Sequence, residues 1–222
     1  MPAHSRSFVS MLLASVLASQ ACFAYQSPLS DESIREAYFL GQRHDGSLER
    51  LLSKYTRRLP PPKVGPHIDS VTFLTPFVQI ARNSDKYIGN YSAQQASLDH
   101  RGVEETVEIS IEVLLTESYG AIIAEPGSPR SDKPQAYQLR SHDFWQDFQA
   151  EVFDGEEIRT PTHFTGEPNV QCSRYGETCI LVGATLHLEF PAMTFKSDSA
   201  AIHIIPPEGP EVWTDFDLSG LR

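Results

Sequence analysis

Hydrophobic and polar residues alternate along two long stretches of the chain, and a period of two predicts β-strands with one buried and one exposed face. The first stretch is residues 170–190. Its predicted buried face carries Ile180, Val182, Ala184, Leu186, Leu188 and Phe190. Its predicted exposed face carries Gly183, Thr185, His187 and Glu189. Residues 103–116 alternate in the same way, and we expect a short turn to pair them with residues 119–124.

Shorter apolar segments separated by turn residues continue this pattern to the end of the chain. We predict further strands at residues 71–80, 136–139, 150–153, 162–164, 200–205 and 212–218. Pro76 interrupts the first of these, so residues 77–80 should resume a strand that is bent or lies at a sheet edge. About eight to ten short strands with frequent turns are typical of a mainly β fold. We predict an antiparallel β-sandwich, with an open barrel as the alternative.

The N-terminal part of the chain has helical spacing instead. Residues 47–55 carry leucines and a tyrosine at i, i+3, i+4 and i+7, which predicts an amphipathic helix. Residues 33–36 fit a capping box for an earlier helix, although Ser30 or Asp31 could also cap it, and Gly41 could end it. We therefore predict a short N-terminal helical hairpin. Another helical turn is expected to start at Ser92.

The first residues resemble a secretory signal peptide. Residues 1–24 contain two basic side chains, an apolar run of about 12 residues and an A-x-A-like cleavage site after Ala24. We therefore expect a secreted or periplasmic protein, without a transmembrane segment because no later run approaches ~20 apolar residues. A bacterial lipid anchor at Cys22 is the alternative, but the apolar residue usual three places before that cysteine is missing.

Proline-rich sequence then divides the rest of the chain, because consecutive prolines form a stiff, extended linker. The predicted domains are the signal peptide at 1–24, a helical appendage at 25–58, a Pro-rich linker at 59–64 and the β-sandwich domain at 65–222.

Cysteine usage agrees with an oxidising compartment. Removal of Cys22 with the signal peptide leaves the pair Cys172 and Cys179, which we expect to form a disulfide. Two free, buried thiols are the alternative. The chain has 18 basic and 29 acidic residues, a formal net charge of −11. Since an acidic protein repels phosphate backbones, we expect no nucleic-acid partner.

Two histidines are the best candidates for a metal site. If the strands that carry His187 and His203 pair about a turn near Phe195, their Cβ atoms would lie about 5 Å apart. With Glu189 as a neighbour, the pair could bind zinc or copper. The alternative is two exposed histidines on a sheet face, and we predict no cofactor.

Aromatic and acidic residues cluster in a second candidate site, formed by Asp143, Phe144 and Trp145. Flat rings beside carboxylates are typical of sugar-binding surfaces. The alternative is core aromatics beside exposed acids. The sequence contains no G-x-S-x-G nucleophile elbow, HExxH motif, phosphate loop or dinucleotide fingerprint.

Three stretches, GPHIDSVTFLTPFVQIARNS, NYSAQQA and FDLSGLR, resemble an uncharacterised group of secreted proteins of soil bacteria such as Acidobacteria. The resemblance runs from about Ser30 to the end of the chain. It implies a periplasmic or exported bacterial β-protein, and no activity or functional residue. We therefore expect a non-catalytic binding or structural module with a protein or glycan partner. The alternative is a metal-dependent or carboxylate hydrolase with a site formed by scattered strand residues.

Overall fold

The computed structural model describes residues 25–86, 91–124, 137–173 and 179–222. The predicted signal peptide and Cys22 lie outside these ranges. Within them, the helices are α1 (Asp31–Gly41), α2 (Ser47–Tyr55), α3 (Pro76–Lys86) and α4 (Ala93–His100). The strands are β1 (Thr56–Arg58), β2 (His67–Leu74), β3 (Thr106–Leu114), β4 (Ile122–Ala124), β5 (Tyr137–Leu139), β6 (Gln149–Asp154), β7 (Glu157–Arg159), β8 (His163–Cys172), β9 (Cys179–Pro191), β10 (Ser199–Ile205) and β11 (Val212–Asp217).

The strands form two larger sheets in which every recorded pairing is antiparallel. The five-stranded sheet has the order β1-β2-β3-β9-β8, and the four-stranded sheet has the order β11-β10-β6-β7. Residues from both sheets form one buried cluster, in which the rings of Phe73 on β2 and Phe216 on β11 lie 5.7 Å apart. The predicted mainly β, antiparallel fold is confirmed, and the two sheets are arranged broadly as in a sandwich.

The N-terminal helical hairpin is present as α1 and α2. Ser30 caps α1, because its side chain accepts a hydrogen bond from the backbone N–H of Ser33. Buried residues of both helices pack with Leu74 and Phe77 in a second apolar cluster. The hairpin therefore lies against α3 and the end of β2.

The predicted strand at residues 77–80 is wrong, because these residues belong to helix α3. Pro76 stands at the first helical position, where its fixed φ and missing N–H are tolerated. The backbone N–H of Gln79 donates to the oxygen of Thr75 at 3.0 Å, closing the first turn. Phe77 and Ala81, four residues apart, are both buried on the face toward the second cluster.

The predicted pairing of residues 119–124 with the strand at 103–116 is also wrong. The later strand is β4, which pairs with β5 as a separate two-stranded ribbon. Strand β3 instead has β2 on one side and β9 on the other. With both edges occupied, β3 has no backbone groups left to pair with a third strand.

A β-bulge changes the side-chain alternation near the start of β9. Asn169 pairs with Gly183 and Val170 pairs with Leu181, so Val182 is the extra residue. Leu181 is buried, whereas Ile180 is 56% exposed, which contradicts the predicted buried face at this end. One inserted residue exchanges the two faces of the strand beyond it. From Ala184 to Phe190 the predicted alternation is confirmed.

The predicted disulfide is confirmed. Cys172 and Cys179 are bonded, with their Cα atoms 3.9 Å apart, and they face each other at the end of the β8–β9 hairpin. In the described part of the chain, no helix is both long and apolar enough to cross a membrane.

Candidate functional site

The exposed face of the five-stranded sheet carries a polar cleft of about 440 Å³ next to α3, which we call the His187 cleft. His187 and Glu189 lie two residues apart on β9 and line it. Glu189 is flanked across the sheet by Glu108 of β3 and His163 of β8. Two of the residues predicted as metal ligands therefore lie together, with a different histidine beside them.

A charged network holds the side chains of the His187 cleft in place. Nδ1 of His187 lies 2.8 Å from Oε1 of Glu108, and Arg82 of α3 lies 3.4 Å from the other oxygen of that carboxylate. The hydrogen bond from His187 lowers the pKa of Glu108; burial opposes this effect, and the charge of Arg82 supports it. An ionised Glu108 accepts from Nδ1–H, and in the tautomer with its single proton on Nδ1 the ring leaves Nε2 as an acceptor.

The predicted metal site of His187, His203 and Glu189 does not form, because β9 and β10 do not pair. His203 lies on the four-stranded sheet, and both histidines are on faces that point away from the shared core. The two side chains are therefore on opposite sides of the molecule. Among the described residues, no group of three His, Cys, Asp or Glu side chains is placed to hold a metal ion.

His203 is instead held between two carboxylates. Nδ1 lies 3.1 Å from Glu151 and Nε2 lies 3.1 Å from Glu211. The carboxylates lie at opposite nitrogens of the ring, and only a doubly protonated ring can donate to both. Although its position on β10 points away from the core, His203 is buried.

An exposed tryptophan covers this histidine. Trp213 of β11 stacks on His203 with ring centroids 4.0 Å apart and planes 10° apart, and Phe153 lies 5.6 Å from the indole. Trp213 is nevertheless 56% exposed. On the same outward side of the sheet lie Asp215 on β11 itself, Ala201 on the neighbouring β10 and the exposed Ile158 on β7 at the other edge. We call this surface the Trp213 face.

The predicted ligand surface at residues 143–145 is wrong for one of its members. Phe144 is 3% exposed and belongs to the core, where its ring lies 6.1 Å from that of Phe148. Trp145 is half-buried and packs against Gly166 of β8, where a Cβ atom would collide with the indole. Asp143 is exposed beside them. The rings of Phe144 and Trp145 therefore both pack against other parts of the fold.

Sequence reasoning missed Trp213, Glu108 and His163. The pattern around Trp213 did contain a usable signal, because Thr214 and Phe216 are buried while Trp213 and Asp215 alternate with them on the exposed side. Glu108 and His163 become neighbours of Glu189 only through strand pairing. Comparison of the chain with protein-family models, with curated proteins and with solved structures finds no match.

Proposed function

We propose that this protein is a secreted or periplasmic, non-catalytic binding module that binds glycans on the Trp213 face. The observation that carries the proposal is the stacking of an exposed indole on a histidine that two carboxylates hold in place. The disulfide between Cys172 and Cys179 and the sequence of residues 1–24 support an oxidising, extracytoplasmic compartment.

The chemistry of sugars explains why such an indole would bind them. One side of a pyranose ring presents C–H groups, and an aromatic ring offers them a large apolar area with a negative π face. Because His203 already fixes one side of Trp213, the ring loses little conformational freedom when a ligand covers it. The carboxylates of Glu151 and Asp215 can accept hydrogen bonds from sugar hydroxyls at the rim.

Replacing Trp213 by Ala should weaken glycan binding by roughly 10- to 100-fold, by analogy with the loss when an aromatic side chain stacked on a nucleobase is truncated. Isothermal titration of the purified protein against a panel of soluble oligosaccharides measures this change. Phe39→Ala is the matched control, because Phe39 is an aromatic residue on α1 with the same 56% exposure. The proposal fails if no oligosaccharide binds, or if both variants bind as the wild type does.

The His187 cleft supports a second candidate function, hydrolysis. A carboxylate that orients an imidazole through Nδ1 leaves Nε2 ready to accept a proton, as the base of a hydrolytic site does. Among the described residues, Nε2 of His187 has no hydrogen-bond partner, and Glu108 lies at 2.8 Å from the other nitrogen. The cleft would then supply the general base.

For this second function we expect hydrolysis of chromogenic ester, glycoside or peptide substrates, measured as product release. His187→Ala and Glu108→Gln should each lower the rate at least about 100-fold, a typical contribution of a positioned base. Glu167→Gln is the control, because Glu167 lines the same cleft, while the carboxylate that bonds to His187 is that of Glu108. Absence of turnover, or equal activity in all three variants, rules out this use of the cleft.

A further inference from the structure

We infer that the glycan bound on the Trp213 face carries free amino groups, as in an oligomer of glucosamine. This inference rests on the proposed function and adds the chemical class of the ligand. The charges around the indole of Trp213 support it. Along the four strands of this sheet, the outward positions carry Glu151, Asp215 and Asp217 and no lysine or arginine.

The carboxylates lie beside the stacking ring. Glu151 and Glu211 bind opposite nitrogens of His203, and Trp213 stacks on that same ring, so acidic groups flank the indole. Both carboxylates remain about half exposed, with 47% and 61% of their side-chain surface accessible. They can therefore contact a ligand without breaking their bonds to the histidine.

His203 cannot neutralise this charge. Glu151, Glu211 and Asp215 together outnumber the single positive charge that a protonated His203 would supply, so the surface stays negative in either state of the ring. Arg57 approaches from the edge strand β1, but its hydrogen bonds go to backbone oxygens, to that of Asp215 at 3.3 Å and to that of Lys54 at 3.2 Å. The carboxylate of Asp215 stays exposed for a ligand.

Charge complementarity then distinguishes three kinds of glycan. An anionic sugar is repelled, and a neutral sugar gains the stacking contact and hydrogen bonds from its hydroxyls to the carboxylates. A protonated amino group gains a charge-assisted hydrogen bond to a carboxylate and a cation–π contact with the indole. Because the sites are exposed, we expect a preference of about tenfold for the amine, which salt should weaken.

The test compares two oligomers of the same length and linkage, the glucosamine hexamer and the N-acetylglucosamine hexamer, in mildly acidic buffer of low salt. Titration of the purified protein should give about tenfold tighter binding of the glucosamine hexamer. Asp215→Asn should reduce that preference, because Asp215 is exposed and its carboxylate holds no other side chain in place. Glu49→Gln, an exposed position on α2, removes the same charge elsewhere and should leave the preference intact.

Three results overturn the inference, and they differ in what they say about the proposed function. Equal binding of both hexamers, lost in Trp213→Ala, contradicts the amine preference and supports a glycan site. Tighter binding of the glucosamine hexamer that is unchanged in Trp213→Ala, and is matched by hexalysine, shows general attraction to an acidic protein. No binding of either hexamer contradicts the inference, and the wider oligosaccharide panel then decides the proposed function.

Discussion

Phe73→Ala should lower the free energy of unfolding by about 3–5 kcal/mol, which is the usual cost of removing a buried phenylalanine ring. Phe73 is fully buried on β2 of the five-stranded sheet. Its ring lies 5.1 Å from that of Phe195, 5.7 Å from Phe216 and 6.3 Å from Tyr25. Its removal therefore leaves a cavity where the two sheets meet.

Thermal and denaturant unfolding measure this loss, and the midpoint temperature should fall by on the order of 10 °C. Phe73→Leu keeps most of the buried side-chain volume and should therefore lose much less stability. The exposed residue Phe39 supplies the control, since Phe39→Ala removes the same ring outside the core and should change stability by about 0.5 kcal/mol or less. If Phe73→Ala costs no more than Phe39→Ala, the two sheets do not depend on a shared core.

The second large effect is expected at Asp154, at the end of β6. Its buried carboxylate accepts hydrogen bonds from the guanidinium of Arg159 at 2.8 Å and from the backbone N–H of Ser197 at 2.8 Å. The backbone N–H of Lys196 also donates to it, at 3.1 Å. Asp154 therefore ties the connection before β10 to the β6–β7 hairpin.

Asp154→Ala should lower the free energy of unfolding by about 3 kcal/mol, because it removes a buried acceptor that three part-buried donors share. This value is the lower end of the destabilisation usual for breaking a buried ion pair. The reason is that Arg159 keeps a second ion pair, with Glu157 at 2.7 Å. Denaturant titration measures the change. Glu156→Ala, an exposed acid in the adjacent turn, is the control and should be near neutral. Equal stability of the two variants would contradict the anchoring role of Asp154.

The same carboxylate should make stability depend on pH in acid. Burial by itself raises the pKa of Asp154, but the hydrogen bonds from Arg159, Ser197 and Lys196 outweigh it and hold that pKa below its usual range. The folded pKa is then below the unfolded value of about 3.9. Asp154 thus stabilises the fold above that pH and loses this contribution as the pH falls through the folded pKa. Asp154→Asn should remove this part of the acid sensitivity.

Local pattern was enough to determine several parts of this protein. The i, i+3, i+4, i+7 spacing of residues 47–55 predicted α2 with its observed bounds. The period of two predicted β3 and the central part of β9, because a strand with one buried face must alternate. The cysteine pair also followed from sequence, since Cys172 and Cys179 are close in the chain and bracket a hairpin end.

Only the tertiary structure decided which strands become neighbours. His187 and His203 lie on successive strands of the sequence, yet β9 and β10 belong to different sheets. The pairing of β3 with β9 brought Glu108 next to His187. The pairing of β10 with β11 placed Trp213 on His203. A local pattern assigns each side chain to a face of its strand. It does not say which strand will pair with that strand, because that choice depends on packing between segments far apart in the chain.

Two local misassignments have the same origin. Residues 77–80 are apolar enough for a strand or a helix, and their burial against α1 and α2 selects the helix. The bulge at Val182 exchanges the exposed and buried positions at the start of β9, and it lies where that strand runs beyond the end of β3. The sequence by itself thus determined the fold class, the faces of β3 and of the central part of β9, and the disulfide. The sheet order and both candidate sites were decided by packing between distant segments, whose free energy no local pattern contains.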